Sequence, residues 1–196
     1  VANCRFVFKT PGVVLVQESP LCTLRNCEFF SAGKLFWMGG LLCHTRAGGR
    51  LHLENCVAGG DGTGVVLWYL QPRLSDFEVR LRRNTLAGGI AVGLHLDCLP
   101  DAATKAHRSR APFRIESFQN IFDSQETVLR VDQTPRFLEQ VKEPLTPTEA
   151  MGLLPRLLAW QEQGSLYSPG DTDFLTFSVY GKLRPLEHPL RSLPGW

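Results

Sequence analysis

The sequence predicts an all-β solenoid, a right-handed parallel β-helix of about five to six coils with a C-terminal helical insertion or cap. Three observations carry this prediction. An Asn-centred motif recurs through the first two-thirds of the chain. Short alternating strands precede it, and apolar strands follow it. Helical periodicity is absent through residue 131.

The motif is an Asn, then a small or apolar residue, then an apolar or aromatic one. It reads Asn3-Cys4-Arg5-Phe6, Asn26-Cys27-Glu28-Phe29, Asn55-Cys56-Val57-Ala58, Asn84-Thr85-Leu86-Ala87 and Asn120-Ile121-Phe122, at spacings of 23, 29, 29 and 36 residues. Alternating strands lead into it at Leu51-His52-Leu53, Phe77-Glu78-Val79-Arg80-Leu81 and Phe113-Arg114-Ile115. Apolar strands leave it at Val13–Val16, Leu35–Met38, Val65–Tyr69, Ile90–Leu96 and Thr127–Val131. Gly, Ser, Asp and Pro separate the strands, as turns require. One such unit per coil, stacked at the sheet spacing of about 4.8 Å, brings equivalent residues into ladders. Leu24, Leu53, Cys27, Cys56, Phe6 and Phe29 then face a narrow, dry interior. The Asn residues suit left-handed corners, where stacked carboxamides bond to one another. Asn3, Asn26, Asn55, Asn84 and Asn120 form the expected structural ladder. The competing fold, a β-sandwich, needs hairpin signals; the chain has one Asp-Gly, Asp61-Gly62, and no Asn-Gly.

The C-terminal third differs in kind. Thr146-Pro147-Thr148-Glu149 reads as a helix start, with Met151, Leu154, Leu157 and Leu158 on one face. Pro155 kinks that helix or begins a second, Pro155 to Gln163, ended by Gly164 as a C-cap. Gly164-Ser165-Leu166-Tyr167 then repeats Gln119-Asn120-Ile121-Phe122 with Ser in the Asn place, and Asp173–Val179 supplies the next strand. Pro185, Pro189 and Pro194 make the extreme C-terminus extended rather than regular. The expected organisation is 1–143 as coils, 144–164 as helical insertion or cap, and 165–196 as a degenerate last coil and extended tail. Asn3 already lies inside a coil, so earlier coils or another domain of the same polypeptide are expected before Val1.

Composition narrows the function classes. The chain of 196 residues is 43% hydrophobic and 20% charged, which is globular and suits one domain with an appendage. A net charge of +2 gives no reason to expect nucleic acid as partner. The richest apolar run, Leu35–Cys43, is broken by Gly39 and Gly40, so no membrane span is expected. Arg outnumbers Lys sixteen to five, and the basic excess lies in residues 1–131. Cys4, Cys27 and Cys56 share a repeat position, while Cys22, Cys43 and Cys98 do not; no CxxC or zinc spacing occurs, so the thiols are expected free and largely buried.

The NCxF-like register, with its Gly-rich turn and following Val/Leu strand, resembles the right-handed parallel β-helix (pectin lyase-like) superfamily. The resemblance covers residues 1 to about 131, resumes near Ser165, and is specific for the fold rather than for a member family. It implies either a polysaccharide lyase or hydrolase or a non-catalytic repeat module, of which some are joined to bacterial protein kinases. It also implies an exported or cell-surface location, although free thiols suit the cytoplasm equally and leave the compartment open.

Within that frame, Arg80 and Arg82 share the outer face of one strand and make a candidate anion clamp. The insertion Leu99 to Ala111 adds Lys105 and His107 as candidate ligand contacts. Trp68 and Tyr69 are adjacent, so one of them points outward to stack on a sugar, and Trp37 is a second candidate. His95 and Asp97 alternate on one face, as base and orienter or as plain solvent-facing residues. Asp61, in Gly59-Gly60-Asp61-Gly62-Thr63-Gly64, is the one candidate metal ligand, with Ca²⁺ needed only by a lyase. Arg114-Ile115-Glu116 lacks the lysine of the Arg-Ile-Lys signature of polygalacturonases, and no nucleophile motif occurs. The favoured reading is a module, without cofactor, that presents an elongated surface to a polysaccharide or a protein partner. The alternatives are a lyase or hydrolase on acidic polysaccharide, with Arg80, Arg82, His95 and Asp97 as its catalytic candidates, and a structural spacer.

Overall fold

A computed structural model describes residues 1–8, 14–17, 19–31, 41–45, 48–60, 63–69, 76–96, 113–133, 152, 154–155, 157–168, 173–180 and 185–190. These residues are mostly strand. The first coils supply β1 (Arg5–Phe8), β2 (Val14–Gln17), β3 (Leu21–Arg25), β4 (Glu28–Ser31), β5 (Leu41–Thr45) and β6 (Arg50–Glu54). The middle of the chain gives β7 (Val57–Gly60), β8 (Thr63–Tyr69), β9 (Phe77–Arg82), β10 (Thr85–Leu96), β11 (Phe113–Phe118) and β12 (Ile121–Gln133). Last come β13 (Leu158–Gln163), β14 (Leu166–Tyr167), β15 (Asp173–Tyr180) and β16 (Pro185–Leu190).

Two parallel sheets result. Sheet A runs β3-β6-β9-β11-β13. Sheet B runs β1-β4-β7-β10-β12-β15-β16, with β2, β5 and β8 joining it beside β10, and β14 beside β12. Each turn of chain lays a strand in sheet A and then strands in sheet B, every one parallel to its equivalent in the turn before. This is compatible with a β-solenoid. Thr85 pairs with Val57 while Ile90 pairs with Thr63, so β10, and β12 beside it, run continuously alongside both β7 and β8. The expected Gly turn inside β10 is therefore continuous strand, with a register shift between Gly88 and Ile90.

The core lies between the sheets. Period-two alternation sends Leu51 and Leu53, then Phe77, Val79 and Leu81, then Phe113 and Ile115 inward, each at most 2% exposed. Facing them is the sheet B column Phe6, Phe29, Ala58, Leu86, Phe122 and Tyr167. Phe6 stacks on Phe29 with centroids 5.3 Å apart, and Phe122 on Tyr167 at the same separation. Ala58 and Leu86 fill the middle of the column.

The corner between the sheets corrects the Asn ladder. Strand register aligns Arg5, Glu28, Val57, Thr85, Ile121 and Leu166. Two residues before each stands a residue in the left-handed region: Asn3, Asn26, Asn55, Arg83, Gln119 and Gly164. Asn84 and Asn120 therefore lie one position later than expected. They continue the inward column Cys4, Cys27, Cys56, Asn84, Asn120, Ser165. Residue type marked the corner in the first three coils; in the next two an Arg and a Gln take the left-handed conformation, and the Asn beside each is drawn into the core. Gly164 marks this corner too, and ends no helix.

The helical reading is also revised. Gly152, Leu154, Pro155 and Leu157 have helical backbone, and Leu154 and Leu157 are buried. The predicted second helix, Pro155 to Gln163, fails from Leu158 onward. Leu158–Gln163 is β13, in register with Phe113–Phe118 of β11, and it buries Leu158 and Trp160. Two apolar residues two apart, Leu158 and Trp160, are a strand signal that the preceding helical spacing obscured. The Ser165 alignment holds: Leu166 pairs with Ile121 and Tyr167 with Phe122. The tail was expected to be irregular, yet Pro185–Leu190 is a regular antiparallel strand on β15. Being outermost, β16 tolerates prolines that an inner strand excludes.

Candidate functional site

Burying Phe77, Val79 and Leu81 forces Arg80 and Arg82 outward, as the sequence predicted. Stacking then surrounds them with residues from other coils. Across the outer face of sheet A run three columns: Arg50, Glu78, Arg114, Ala159; His52, Arg80, Glu116, Gln161; and Arg25, Glu54, Arg82, Phe118, Gln163. Opposite charges alternate. Arg80 Nε lies 3.0 Å from Glu116 Oε2 and 2.5 Å from Glu78 Oε1. Arg50 Nε is 3.8 Å from Glu78 Oε2, and Arg25 Nε is 2.9 Å from Glu54. The Arg82 guanidinium sits over the Phe118 ring, 5.4 Å from its centroid.

The expected anion clamp pairs Arg80 with Arg82. The two side chains do share a face, but Arg80 is already held by two carboxylates, one of them on a half-buried side chain only 14% exposed. What the face offers is a shallow groove of about 540 Å³ lined by Arg80, Arg82, Glu116, Phe118, Gln161 and Gln163, among others. Burial, then the Arg80 cation, holds His52 below the ordinary histidine pKa, so it is neutral at neutral pH.

His95 lies elsewhere. On β10 it alternates with the buried Val92 and Leu94 and so points to the outer side of sheet B, yet it is only 4% exposed. It therefore does not face solvent. Its cross-strand partner is Asp132, 1% exposed, whose Oδ2 is 3.8 Å from His95 Nε2. Arg130 Nε bonds both oxygens of Asp132, at 3.0 and 3.2 Å. Burial, and then the Arg130 cation, lowers the His95 pKa to about 3, so the imidazole is neutral in this cluster. Asp97, its expected partner, lies outside the described residues. The signal for Asp132 was available: aligning the apolar strands Ile90–Leu96 and Thr127–Val131 sets His95 against the residue after Val131. Glu78, Glu116 and Phe118 were missed for the same reason, since sites here are assembled across coils.

A third polar feature runs through the interior. Asn84 Nδ2 donates to Asn120 Oδ1 at 3.0 Å and to Leu53 O at 3.0 Å. Asn120 Nδ2 donates to Leu81 O and to Ser117 Oγ, both at 2.9 Å. Ser165 Oγ closes the chain, accepting from Asn120 N and lying 3.0 Å from Ser117 Oγ. Every member is satisfied, which marks it as structural. Outside it, the exposed ladder links Asn55 to Asn26 at 2.8 Å and Asn26 to Asn3 at 3.0 Å. Cys4, Cys22, Cys27 and Cys56 are free thiols, and burial raises the pKa of Cys22 and Cys56.

Lys105, His107, Asp61 and Trp37 lie outside the described residues. Trp68 and Tyr69 end β8, where their backbones pair with His95 and Leu96; their side chains lie outside what is described. Among the described residues no group of three or more His, Cys, Asp or Glu is placed to hold a metal, and no helix is long and apolar enough to cross a membrane. Comparison of the chain with protein-family models, curated proteins and solved structures finds no match.

Proposed function

We propose that the chain is a right-handed parallel β-helix of the pectin lyase-like kind, acting as a non-catalytic module that holds a polysaccharide along the outer face of sheet A. The parallel, in-register stacking of successive turns supports the fold, and the handedness follows from the strong right-handed preference of parallel crossovers. The observation that carries the function is the groove beside Arg82 and Phe118. It combines an aromatic ring capped by a planar cation with Gln161, Gln163 and Glu116, and so offers paired donors and acceptors of the kind that read sugar hydroxyls. It is open and shallow, which suits a long polymer better than a small molecule.

The lyase alternative is less well served. A lyase needs a free base beside an uncommitted anion site. Arg80 instead stands between Glu78 and Glu116. A panel of neutral, uronate and sulfated polysaccharides, scored for binding and for unsaturated product with and without Ca²⁺, tests both readings. Binding without turnover, weakened at least tenfold by Arg82→Ala and by Phe118→Ala, is expected. Turnover on any uronate overturns the non-catalytic reading, and absence of glycan binding overturns the module reading in favour of a protein partner or a spacer.

A further inference from the structure

Three buried nitrogen atoms without a hydrogen-bond partner lie on the outer face of sheet A: His52 Nε2, and both Nε and Nη1 of Arg114. Folded proteins pair nearly all such atoms, and an unmatched guanidinium is the costliest to leave. The neighbouring carboxylates are already engaged. Glu78 is shared by Arg50 at 3.8 Å and Arg80 at 2.5 Å, and Glu116 lies 3.0 Å from Arg80. On its other side Arg114 pairs across the sheet with Ala159, which carries no side-chain acceptor. Three arginines thus face two glutamates, and the neutral imidazole of His52 does not alter the balance. Within these two columns one positive charge is left over, and Arg114 is the arginine whose Nε and Nη1 have no partner.

We propose that Arg114 anchors an oxyanion-binding site on the outer face of sheet A, taking a carboxylate, sulfate or phosphate group. Arg114 as a residue is only partly buried, although its Nε and Nη1 are covered, so an anion reaches them as the side chain turns outward. A guanidinium is the side chain best matched to such groups. The site adjoins the groove through Glu116, two residues along the same face of β11. It does not depend on glycan binding, because the surplus charge is present whether or not a sugar occupies the groove.

The test titrates the whole chain with sodium sulfate against sodium chloride at constant ionic strength, following melting temperature and the side-chain Nε signals of arginine by NMR. Parallel arms use phosphate, acetate and a sulfated oligosaccharide. The expected result is a saturable rise in melting temperature with sulfate and a shift of a single arginine Nε signal. Arg114→Gln weakens both at least tenfold, while Arg25→Gln, at an exposed pair on the same sheet, leaves them unchanged. Saturation by the inorganic anions supports a free-anion site; saturation only by the oligosaccharide supports the same site reading a substituent on a polymer. Where Arg114→Gln does not fold, the single shifted signal of the unaltered chain still decides. No saturable response in any arm, or an equal response in Arg114→Gln, overturns the proposal. Failure to bind neutral glycans bears on the groove alone.

Discussion

Two asparagine ladders one residue apart behave differently because one is wet and one is dry. Asn26 is exposed, in a left-handed conformation, and its carboxamide bonds to Asn3 and Asn55. Replacing it with Ala loses those bonds and adds conformational strain, about 1–2 kcal/mol in all. Asn26→Gly relieves the strain and is expected to cost less. Asn120 is 1% exposed, and Asn120→Ala removes the acceptor of Asn84 N, one of the two bonds of Asn84 Nδ2, and the donors to Leu81 O and Ser117 Oγ. At about 1–3 kcal/mol for each buried group left unpaired, the loss exceeds that at Asn26 at least twofold. Urea unfolding of the three variants checks the order, and equal losses at Asn26 and Asn120 would remove the distinction. The sequence made all five asparagines visible but merged the two ladders. Their separation depends on backbone φ at Arg83 and Gln119, residue types that carry no left-handed signature.

At the scale of strands, alternation within one strand was legible and pairing between coils was not. Phe77, Val79 and Leu81 announced which way Arg80 and Arg82 point; nothing within β9 announced Glu116, which arrives from a coil 36 residues later. Most of these pairs are exposed, so their worth is small. Arg82→Ala is expected to cost no more than about 0.5 kcal/mol, and Arg80→Ala up to about 1 kcal/mol, because it also uncovers the half-buried Glu78. A melting loss several times larger for Arg80→Ala would mean that the charge columns hold the sheet together.

The pairing of β10 with β12 gives a sharper test at the same scale. His95 has a folded pKa of about 3 against an ordinary 6.5, so the unfolded chain takes up a proton that the folded chain refuses. Its contribution is intact above about pH 6.5 and is lost as pH falls toward 3, by up to about 1.4 kcal/mol per pH unit. Stability measured in urea at a series of pH values should fall less steeply for His95→Gln than for the unaltered chain across that window. NMR should show no titration of His95 between pH 5 and 8. Equal slopes, or a titration near 6.5, would place His95 in water.

For the whole molecule, each turn of chain packs only on the turns beside it, so stability is expected to spread by nearest neighbours rather than from one central point. Leu81 sits mid-sheet, fully buried between Leu53 and Ser117. Phe6 is only partly buried, on the outermost of the described strands of its sheet, and stacks on Phe29. Leu81→Ala deletes packing that both neighbouring coils share, at about 2–5 kcal/mol. Phe6→Ala deletes one side of a terminal stack. Amide hydrogen exchange separates the consequences: Leu81→Ala should lower protection throughout β6, β9 and β11 and their continuations in sheet B. Phe6→Ala should lower it in β1 and β4 and leave β11 and β12 unchanged. Leu53→Asp, which buries an uncompensated charge in the same inward column, should abolish protection outright. If Phe6→Ala instead loosens β12 as much as β1, the coils do not act as a one-dimensional array. The repeat read from five asparagines would then describe the path of the chain but not the way its stability is shared.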